Sequence, residues 1–570
     1  MLTNSVLAGA LGAGYLTVLV LQLNPQVPIF SATTGRWFGT LGMLYGVHLA
    51  VFFYLVMVLR EFFALDGLSP GWASVRVLAW LAALSAALAA VLMWLNVSGF
   101  SAALAEPAAS RMTRGALATS GSAIVLLGTA IVHYSFGRRG SRAAATVFVL
   151  AVLASIALPL AARGRAVESV GAAAPVSSNL SAEQEPGPTV VMVLLDGASL
   201  EYILPRVADG RLPGFSRLLD KGAWMDLATT RPTQPDAVWA AVATGMYPFR
   251  NGIRSSASYY AGGDTRAIDL LPDHCFSHVL VRLGFVRDEP INASAWRARP
   301  LWSILADAGL RVGVVRWPLT FPAPAAPGFI VSDRFHQLGG SIEAFNQGAY
   351  PPAILADVQA RFAGEQSAEV ASPWPADDPE PTALARDRSY SRAMQALRAQ
   401  FDPRFVALRY EGLDTLGHYY LRYSQARASG RVSEEDRRRF GQALDRHYAF
   451  IDAEIGAALD TLAPDDLLVV VSGFGMQPLN PVKEAVGRLM GDPDFSGTHE
   501  RAPDGFLLVY GTVADPGRHQ RGSLVDVTPT ILYFLGLPVA RDMDGYTRAD
   551  LFTKAFTAER PIAFIPTYGR

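Results

Sequence analysis

The chain has 570 residues, of which 51% are hydrophobic and only 17% are charged, and its formal net charge is −1. This apolar composition predicts that part of the chain lies in a membrane, and the near-zero charge argues against nucleic acid as a partner. The single cysteine, Cys275, excludes an intramolecular disulfide framework and a cluster of cysteine metal ligands. Any metal site must therefore use His, Asp and Glu.

Five apolar segments before residue 165 predict membrane helices, since a span needs about 20 apolar residues. The segments are 5–23, 37–59, 77–95, 117–136 and 143–162. Arginine-containing turns follow the second and fourth segments, and basic residues accumulate on the cytoplasmic side of a membrane. Placing both turns inside predicts a cytoplasmic N-terminus and a C-terminal part outside the cytoplasm.

Residues 166–188 are rich in Ala, Ser, Glu, Gly and Pro and show no hydrophobic periodicity. Such a composition is typical of a flexible linker. The sequence therefore predicts a membrane domain of five helices at 1–165, a linker at 166–188, and a separate domain at 189–570.

The C-terminal domain alternates short β-rich runs with helical patterns. The first run is TVVMVLLDG at 189–197, and later runs cover 312–318, 405–412, 467–475 and 504–511. Strands that alternate with helices predict an α/β fold with a mainly parallel sheet covered by helices on both faces.

Acidic and imidazole side chains stand next to three of these runs. Ligands collect at the carboxyl ends of parallel strands, so Asp196, at the end of the first run, is a candidate for chemistry as well as for a helix cap or turn. Asp414 and His418 follow the run at 405–412, and His499 precedes the run at 504–511. These last three predict a metal site of two histidines and one carboxylate with an open position.

Six segments, in this order, resemble the alkaline phosphatase superfamily, specifically its type I phosphodiesterase and nucleotide pyrophosphatase branch. They are LLDG at 194–197, RPTQPDAVWAAVATGMYPFRNGI at 231–253, LWSILADAGLRVGVVRWPLTFPA at 301–323, EGLDTLGH at 411–418, SGTH at 496–499 and DVTPTILYFLGLPVARDMDG at 526–545. The resemblance covers about residues 189–546 and implies the alkaline-phosphatase-like fold. The five helices ahead of this domain also resemble the layout of phosphoethanolamine and phosphoglycerol transferases of the bacterial envelope.

The resemblance implies two zinc ions that clamp a phosphate, and a Thr or Ser that attacks phosphorus. One ion would be held by Asp414, His418 and His499, which are all present. The other would be held by Asp196, the nucleophile and an adjacent Asp-His pair, but the pair positions are occupied by Gly473 and Phe474. The expected nucleophile position falls on Pro235.

These departures leave alternatives open. Thr233 is the nearest candidate nucleophile, or a loop residue that packs the turn. Asn251 is a candidate phosphate contact, as an Asn is in the family, or part of a solvated loop. We expect one zinc ion, a second pocket packed with apolar groups, and an Asp196 that is either unpaired or serves the remaining ion from a distance.

Three functional hypotheses follow. The first is a membrane-anchored, metal-dependent phosphoesterase or phosphotransferase of the cell envelope that acts on a phosphoester or a lipid-linked substrate. The second is a catalytically inactive pseudoenzyme that serves as a binding or scaffolding module. The third places the function in the helices, with the outer domain as a sensor or a ligand-binding module. The expected location is the bacterial inner membrane, with the C-terminal domain on the periplasmic side.

Overall fold

The computed structural model describes residues 2–64, 75–100, 104, 106–135, 142–163, 187–272, 277–338, 341–362, 379–424, 432–481, 484–485 and 495–569. They belong to two compact units, one formed by 1–170 with 257–290 and the other by 171–256 with 291–570. Most of the predicted linker, residues 166–186, lies outside the described residues.

In chain order, the helices of the described residues are α1 (Leu2–Leu23), α2 (Ala32–Leu41), α3 (Val47–Ala64), α4 (Val75–Phe100), α5 (Glu106–Ser135), α6 (Arg142–Ala162), α7 (Leu200–Ala208), α8 (Pro213–Lys221), α9 (Pro235–Thr244), α10 (Pro248–Asn251), α11 (Ser277–Arg282), α12 (Leu301–Asp307), α13 (Ile342–Asn346), α14 (Leu355–Phe362), α15 (Pro379–Phe401), α16 (Gly412–Tyr420), α17 (Glu434–Phe440), α18 (Ala443–Asp460), α19 (Val527–Phe534) and α20 (Lys554–Glu559).

The strands follow in the same order. They are β1 (Val190–Leu195), β2 (Ala223–Ala228), β3 (Ala257–Ala261), β4 (Val286–Pro290), β5 (Val312–Val315), β6 (Gly328–Val331), β7 (Ala349–Tyr350), β8 (Phe405–Tyr410), β9 (Leu467–Phe474), β10 (Gln477–Pro478), β11 (Gly497–Thr498), β12 (Asp504–Tyr510), β13 (Gly517–Arg518), β14 (Gly522–Ser523), β15 (Val539–Ala540) and β16 (Phe564–Ile565).

The first unit contains helices long and apolar enough to cross a membrane. Among the described residues there are four such segments, Leu2–Leu23, Ala32–Leu59, Val77–Phe100 and Glu106–Val132. In the second of them, α2 and α3 are joined by a π-helical turn, Gly42–Gly46. The sequence correctly predicted the positions of these four segments.

Five spanning helices were predicted, and four candidate spans are found among the described residues. The fifth predicted span, 143–162, coincides with helix α6, whose stretch Thr146–Ala162 is placed among the shorter apolar helices. The whole of α6 has 21 residues, and at 1.5 Å per residue it rises about 30 Å, close to the thickness of a hydrocarbon core.

The second unit is built on a ten-stranded mixed sheet. The strand order is β13-β2-β12-β9-β1-β8-β5-β6-β7, and β14 pairs with β2. The central block β9-β1-β8-β5-β6 is parallel, whereas β12 runs antiparallel between β9 and β2. The predicted strands after residue 188 are confirmed, and so is the α/β class.

Strand β1 shows why the sheet is covered on both faces. Val190, Met192 and Leu194 belong to one apolar cluster, whereas Val191, Val193 and Leu195 belong to another. Side chains alternate between the two faces of a strand, so a continuous β-branched run requires apolar packing on both sides. The carboxyl ends of β1, β8 and β9 meet at one edge of the sheet because the three strands are parallel.

Candidate metal centre

Three candidate ligands predicted from sequence come together at this edge of the sheet. Helix α16 begins directly after β8 and carries Asp414 and His418 one turn apart, while His499 lies just before β12. One ligand atom from each residue lies within 4.8 Å of the others. Their side chains are 13%, 17% and 16% exposed, so the cluster is largely shielded from water without being sealed.

Both histidines are oriented by backbone carbonyl groups. The Nδ1 of His418 lies 2.9 Å from the Gly497 carbonyl oxygen, and the Nδ1 of His499 lies 2.8 Å from the Thr233 carbonyl oxygen. A carbonyl oxygen only accepts hydrogen bonds, so Nδ1 carries the proton in each ring. In the neutral tautomers the Nε2 lone pairs are then free to bind a metal, which is the usual arrangement of metal-ligating histidines.

The carboxylate of Asp414 faces these two nitrogens. Its Oδ2 lies 3.5 Å from His418 Nε2, and its Oδ1 lies 3.9 Å from His499 Nε2. The Oδ1 atom is buried and has no hydrogen-bond partner among the described residues. An unsatisfied buried carboxylate oxygen beside two nitrogen lone pairs fits a divalent cation, and this ligand set is one that zinc accepts.

The electrostatics of Asp414 and His499 also favour cation binding. At His418 burial lowers the pKa, but the neighbouring Asp414 outweighs it, so this pKa lies above its ordinary value. Burial raises the pKa of Asp414, but the nearby His418 and His499 outweigh it, so this pKa lies below its ordinary value. Asp414 is therefore an anion at neutral pH. Burial also lowers the pKa of His499, which keeps that imidazole neutral and able to act as a ligand.

Asp196 is not with these ligands but in a separate ion pair. Its Oδ2 accepts two hydrogen bonds from Arg409, one at 3.0 Å from Nε and a shorter one from Nη2, and its Oδ1 accepts one at 2.6 Å from the indole of Trp239. The expectation that Asp196 is unpaired is wrong. Burial raises its pKa to about 6 in spite of Arg409, so Asp196 is ionised at neutral pH.

The rest of the second pocket is filled as well. A Cβ atom on Gly473 would lie 2.3 Å from Val238 Cγ1, which leaves no room for a ligand side chain there. Phe474 is fully buried, and its ring centroid lies 5.0 Å from that of His499. The predicted apolar filling is therefore incomplete, because the pocket also holds the guanidinium of Arg409.

Arg409 was missed by sequence reasoning although a signal was present. It interrupts an otherwise apolar run, FVALRY, that forms a central strand buried along its whole length. A charged side chain in such a strand requires a buried partner. The sequence alone does not identify that partner as Asp196.

Thr233 and Asn251 have their polar groups occupied. The Thr233 hydroxyl donates to the Thr230 carbonyl at 2.9 Å, and the side chain is buried. Asn251 is also buried; its Nδ2 donates to the Met246 carbonyl at 2.9 Å, and its Oδ1 accepts from the Ile253 amide at 2.9 Å. The nucleophilic role of Thr233 and the phosphate contact of Asn251 stay predictions.

A buried charged network supports the helix that carries the ligands. Asp387 Oδ2 accepts from the Gly412 amide at 3.1 Å and so caps α16 at its N-terminus. Arg316 and His447 both bind the Asp387 carboxylate, at 2.5 and 2.9 Å. Arg316 also pairs with Glu411 at 2.9 Å; although burial raises the pKa of Glu411, the neighbouring arginines outweigh it and lower that pKa to about 2.

The sequence that contains these Asp and His ligands matches a known protein family. A family model described as type I phosphodiesterase / nucleotide pyrophosphatase matches residues 190–506. The chain belongs to this family. The matched range of this phosphodiesterase domain contains Asp196, Arg409 and the three clustered ligands. A search of curated proteins finds no match to the chain.

Proposed function

We propose that this member of the phosphodiesterase family is a membrane-anchored phosphoesterase or phosphotransferase with a single zinc ion held by Asp414, His418 and His499. The observation that carries the proposal is the buried Oδ1 of Asp414, which has no hydrogen-bond partner in the described part of the chain and faces two Nε2 atoms whose rings are fixed by backbone carbonyls. Zinc held by these residues would supply a Lewis acid for a phosphoryl oxygen and would lower the pKa of a bound water.

The side chains around the site perform the remaining tasks. Thr233 and Gly497 hold the two imidazole rings through their carbonyl groups, and Asp387 holds the end of α16. Asp196 and Arg409 neutralise each other where the family places a second ion. Since Thr233 directs its hydroxyl to a carbonyl, we assign the attack on phosphorus to water rather than to a side chain.

The substrate class is a phosphoester, soluble or linked to a lipid. The four apolar helices favour a membrane location. With α6 as a fifth crossing, the basic turns place the N-terminus in the cytoplasm and the C-terminal domain on the opposite side, which for a bacterial inner membrane is the periplasm. A reporter enzyme that is active only outside the cytoplasm, fused after Arg570, tests this orientation. Activity of the fusion supports it, and an inactive but stable fusion contradicts it.

The test of the enzymatic role combines metal analysis with turnover. Full-length protein in detergent is measured for zinc content and for hydrolysis of a chromogenic phosphodiester. We expect about one zinc ion per chain, and we expect His418→Ala to lose both metal and turnover. His519→Ala is the matched control, because the His519 side chain contacts the Asp515 carbonyl and Asp550 and does not belong to the ligand cluster of Asp414, His418 and His499.

A second candidate function is a pseudoenzyme that binds a metal and a partner without turnover. It is favoured by the fact that both Asp196 and the Thr233 hydroxyl are already bonded within the protein. Zinc that disappears in His418→Ala, together with no hydrolysis of any phosphoester offered, selects this second function and excludes the first.

A further inference from the structure

A segment from the middle of the sequence packs with the N-terminal helices. Residues 257–290 lie between two parts of the phosphodiesterase domain in the sequence, but they belong to the first unit together with residues 1–170. Strands β3 and β4 pair in antiparallel orientation from Ala257↔Pro290 to Ala261↔Val286, and α11 lies between them in the sequence. We call residues 257–290 the docking arm.

The arm shares an apolar core with the first two helices. From the arm, this core contains the buried residues Tyr259, Ile268 and Leu271. From the helices, it contains the buried residues Val20, Trp37 and Leu41. Trp37 is completely buried, and Ile268 is as well. Burial of apolar side chains stabilises a contact in proportion to the apolar area removed from water. The hydrophobic effect therefore contributes to holding the arm against the helices.

A single buried amide fixes the position of the arm against the end of α1. Asn24 is fully buried; its Nδ2 donates to the Leu270 carbonyl at 2.7 Å and to the Val20 carbonyl at 2.9 Å. Its Oδ1 accepts from the amides of Asp269 and Leu270, at 3.0 Å each. All four hydrogen-bonding positions of the amide are thus used, which leaves no freedom to shift the register of the arm.

An ion pair adds a second polar contact. Arg36 Nη1 lies 2.9 Å from Asp264 Oδ1 and also donates to the Gly263 carbonyl at 2.9 Å. The Asp264 side chain is only 5% exposed. Opposite charges at this distance and burial attract more strongly than a fully solvated surface pair.

We propose that the docking arm fastens the phosphodiesterase domain to the membrane helices independently of the linker at 166–188. The chain enters the arm at Ser256 and leaves it at Ile291, and the Ile291 amide donates to the Ser256 carbonyl at 3.2 Å. Both ends of the arm are therefore held together at the point where the chain returns to the phosphodiesterase domain. Docking of the arm attaches that domain even when the linker is cut.

The test cuts the linker in the full-length protein. A protease site is inserted between Pro175 and Val176, an affinity tag is placed before Met1, and the protein is cleaved in detergent. We expect the C-terminal fragment to be retained with the tagged helices. Separation of the fragments of the otherwise unchanged protein would overturn the proposal.

Variants of the arm show whether it is responsible for retention. Asn24→Ala and Leu271→Asp should each release most of the C-terminal fragment after cleavage. Arg287→Ala is the matched control, because Arg287 is 64% exposed on β4 and pairs with Glu289 of the same strand. If the fragments remain together in Asn24→Ala and in Leu271→Asp, the arm is not the attachment and the proposal is wrong.

A cross-link gives a second readout that does not depend on destabilising variants. Gln26 Nε2 lies 3.3 Å from Asp269 Oδ2, across the contact between the helices and the arm. With Cys275→Ser as background, Gln26→Cys combined with Asp269→Cys should join the two cleaved fragments through a short bismaleimide. Each single-cysteine chain should yield separate bands, and the absence of a cross-link in the double-cysteine chain would contradict the docked arm.

Discussion

The two metal positions that we expected at the edge of the sheet from the family resemblance have different contents. One has Asp414, His418 and His499 within ligand distance of one another, with a carboxylate oxygen that lacks a partner among the described residues. The other has Asp196 bonded to Arg409 and Trp239, beside a buried Phe474. The first position fits a bound metal cation. The second position already contains a positive charge, the guanidinium of Arg409.

A metal ion can both balance the charge of a buried carboxylate and activate a water molecule, and the two positions separate these tasks. A carboxylate buried at the end of β1 needs a positive partner because an unpaired buried charge is costly. Arg409 supplies that partner permanently. A guanidinium has no vacant coordination position for an activated water, so charge balance at Asp196 does not by itself provide catalysis.

The largest expected effect comes from trying to rebuild the second position. Gly473→Asp combined with Phe474→His places a carboxylate where a Cβ atom alone would lie 2.3 Å from Val238 Cγ1, and it replaces a buried ring. We expect a loss of about 4–6 kcal/mol in the free energy of unfolding from overpacking and buried charge, with no second metal ion. Thermal unfolding and metal analysis measure the two outcomes.

Gly473→Ala alone and Gly473→Ala with Val238→Ala are the controls for this variant. The second change removes the atom that the new Cβ would meet, so it should recover part of the lost stability. A rebuilt protein that binds a second zinc ion at unchanged stability would show that Val238 and Arg409 do not block a second metal ion, and our description of this position as filled would be wrong.

Breaking the ion pair between Arg409 and Asp196 is expected to cause the next largest loss in the free energy of unfolding. Arg409→Met leaves Asp196 buried with only the indole of Trp239 as a hydrogen-bond donor to its side chain among the described residues. We expect a loss of about 3–5 kcal/mol, as is typical when one partner of a buried pair is removed. Thermal unfolding of detergent-solubilised protein measures it.

The double variant Asp196→Asn with Arg409→Met should recover most of that loss, because neither charge is then left unpaired. Arg518→Met is the matched control, since the Arg518–Asp226 pair is exposed and should contribute less than about 1 kcal/mol. Equal losses in Arg409→Met and Arg518→Met would contradict a buried pair at the second position.

Asp236, in the first turn of α9, should make the stability of the protein depend on pH. Burial, followed by the nearby Asp333, raises its pKa from 3.8 to about 7. Between about pH 4 and 7 the folded protein keeps a proton that the unfolded chain releases, so this group lowers the free energy of unfolding as the pH rises. Asp236→Asn should remove that slope.

We expect Asp236→Asn to be more stable than the unchanged protein by about 4 kcal/mol at pH 8, and equal to it near pH 4. Thermal unfolding across this range measures the difference. Asp357→Asn, at an exposed position, is the control. A difference that is constant with pH would mean that Asp236 does not titrate in this range.

The smallest expected effect is at Thr233. Thr233→Val removes a hydrogen bond to the Thr230 carbonyl and should cost about 1 kcal/mol. Bound zinc should be unchanged, because the carbonyl rather than the hydroxyl orients His499. If turnover is detected in the unchanged protein and disappears in Thr233→Val but not in Thr233→Ser, the hydroxyl is the nucleophile and our assignment of water is wrong.

Much of the sheet was readable from the sequence. The run from Val190 to Leu195 and the strand from Leu467 to Phe474 are apolar along their length, and such runs have few alternatives to a buried strand. The pair Asp414 and His418 was also readable, because a spacing of four places both on one face of a helix. The fifth apolar segment, predicted at 143–162, forms helix α6 over Arg142–Ala162.

The sequence by itself determined the local features of this protein: which runs form buried strands, which segments are apolar enough for a membrane, and which side chains have ligand chemistry. Tertiary structure alone decided the pairings. Arg409 lies 213 residues from Asp196, and Asn24 lies 246 residues from Leu270. Hydrophobic periodicity reports only neighbours along the chain, whereas charge compensation at β1 and attachment of the docking arm depend on contacts that folding creates between distant residues.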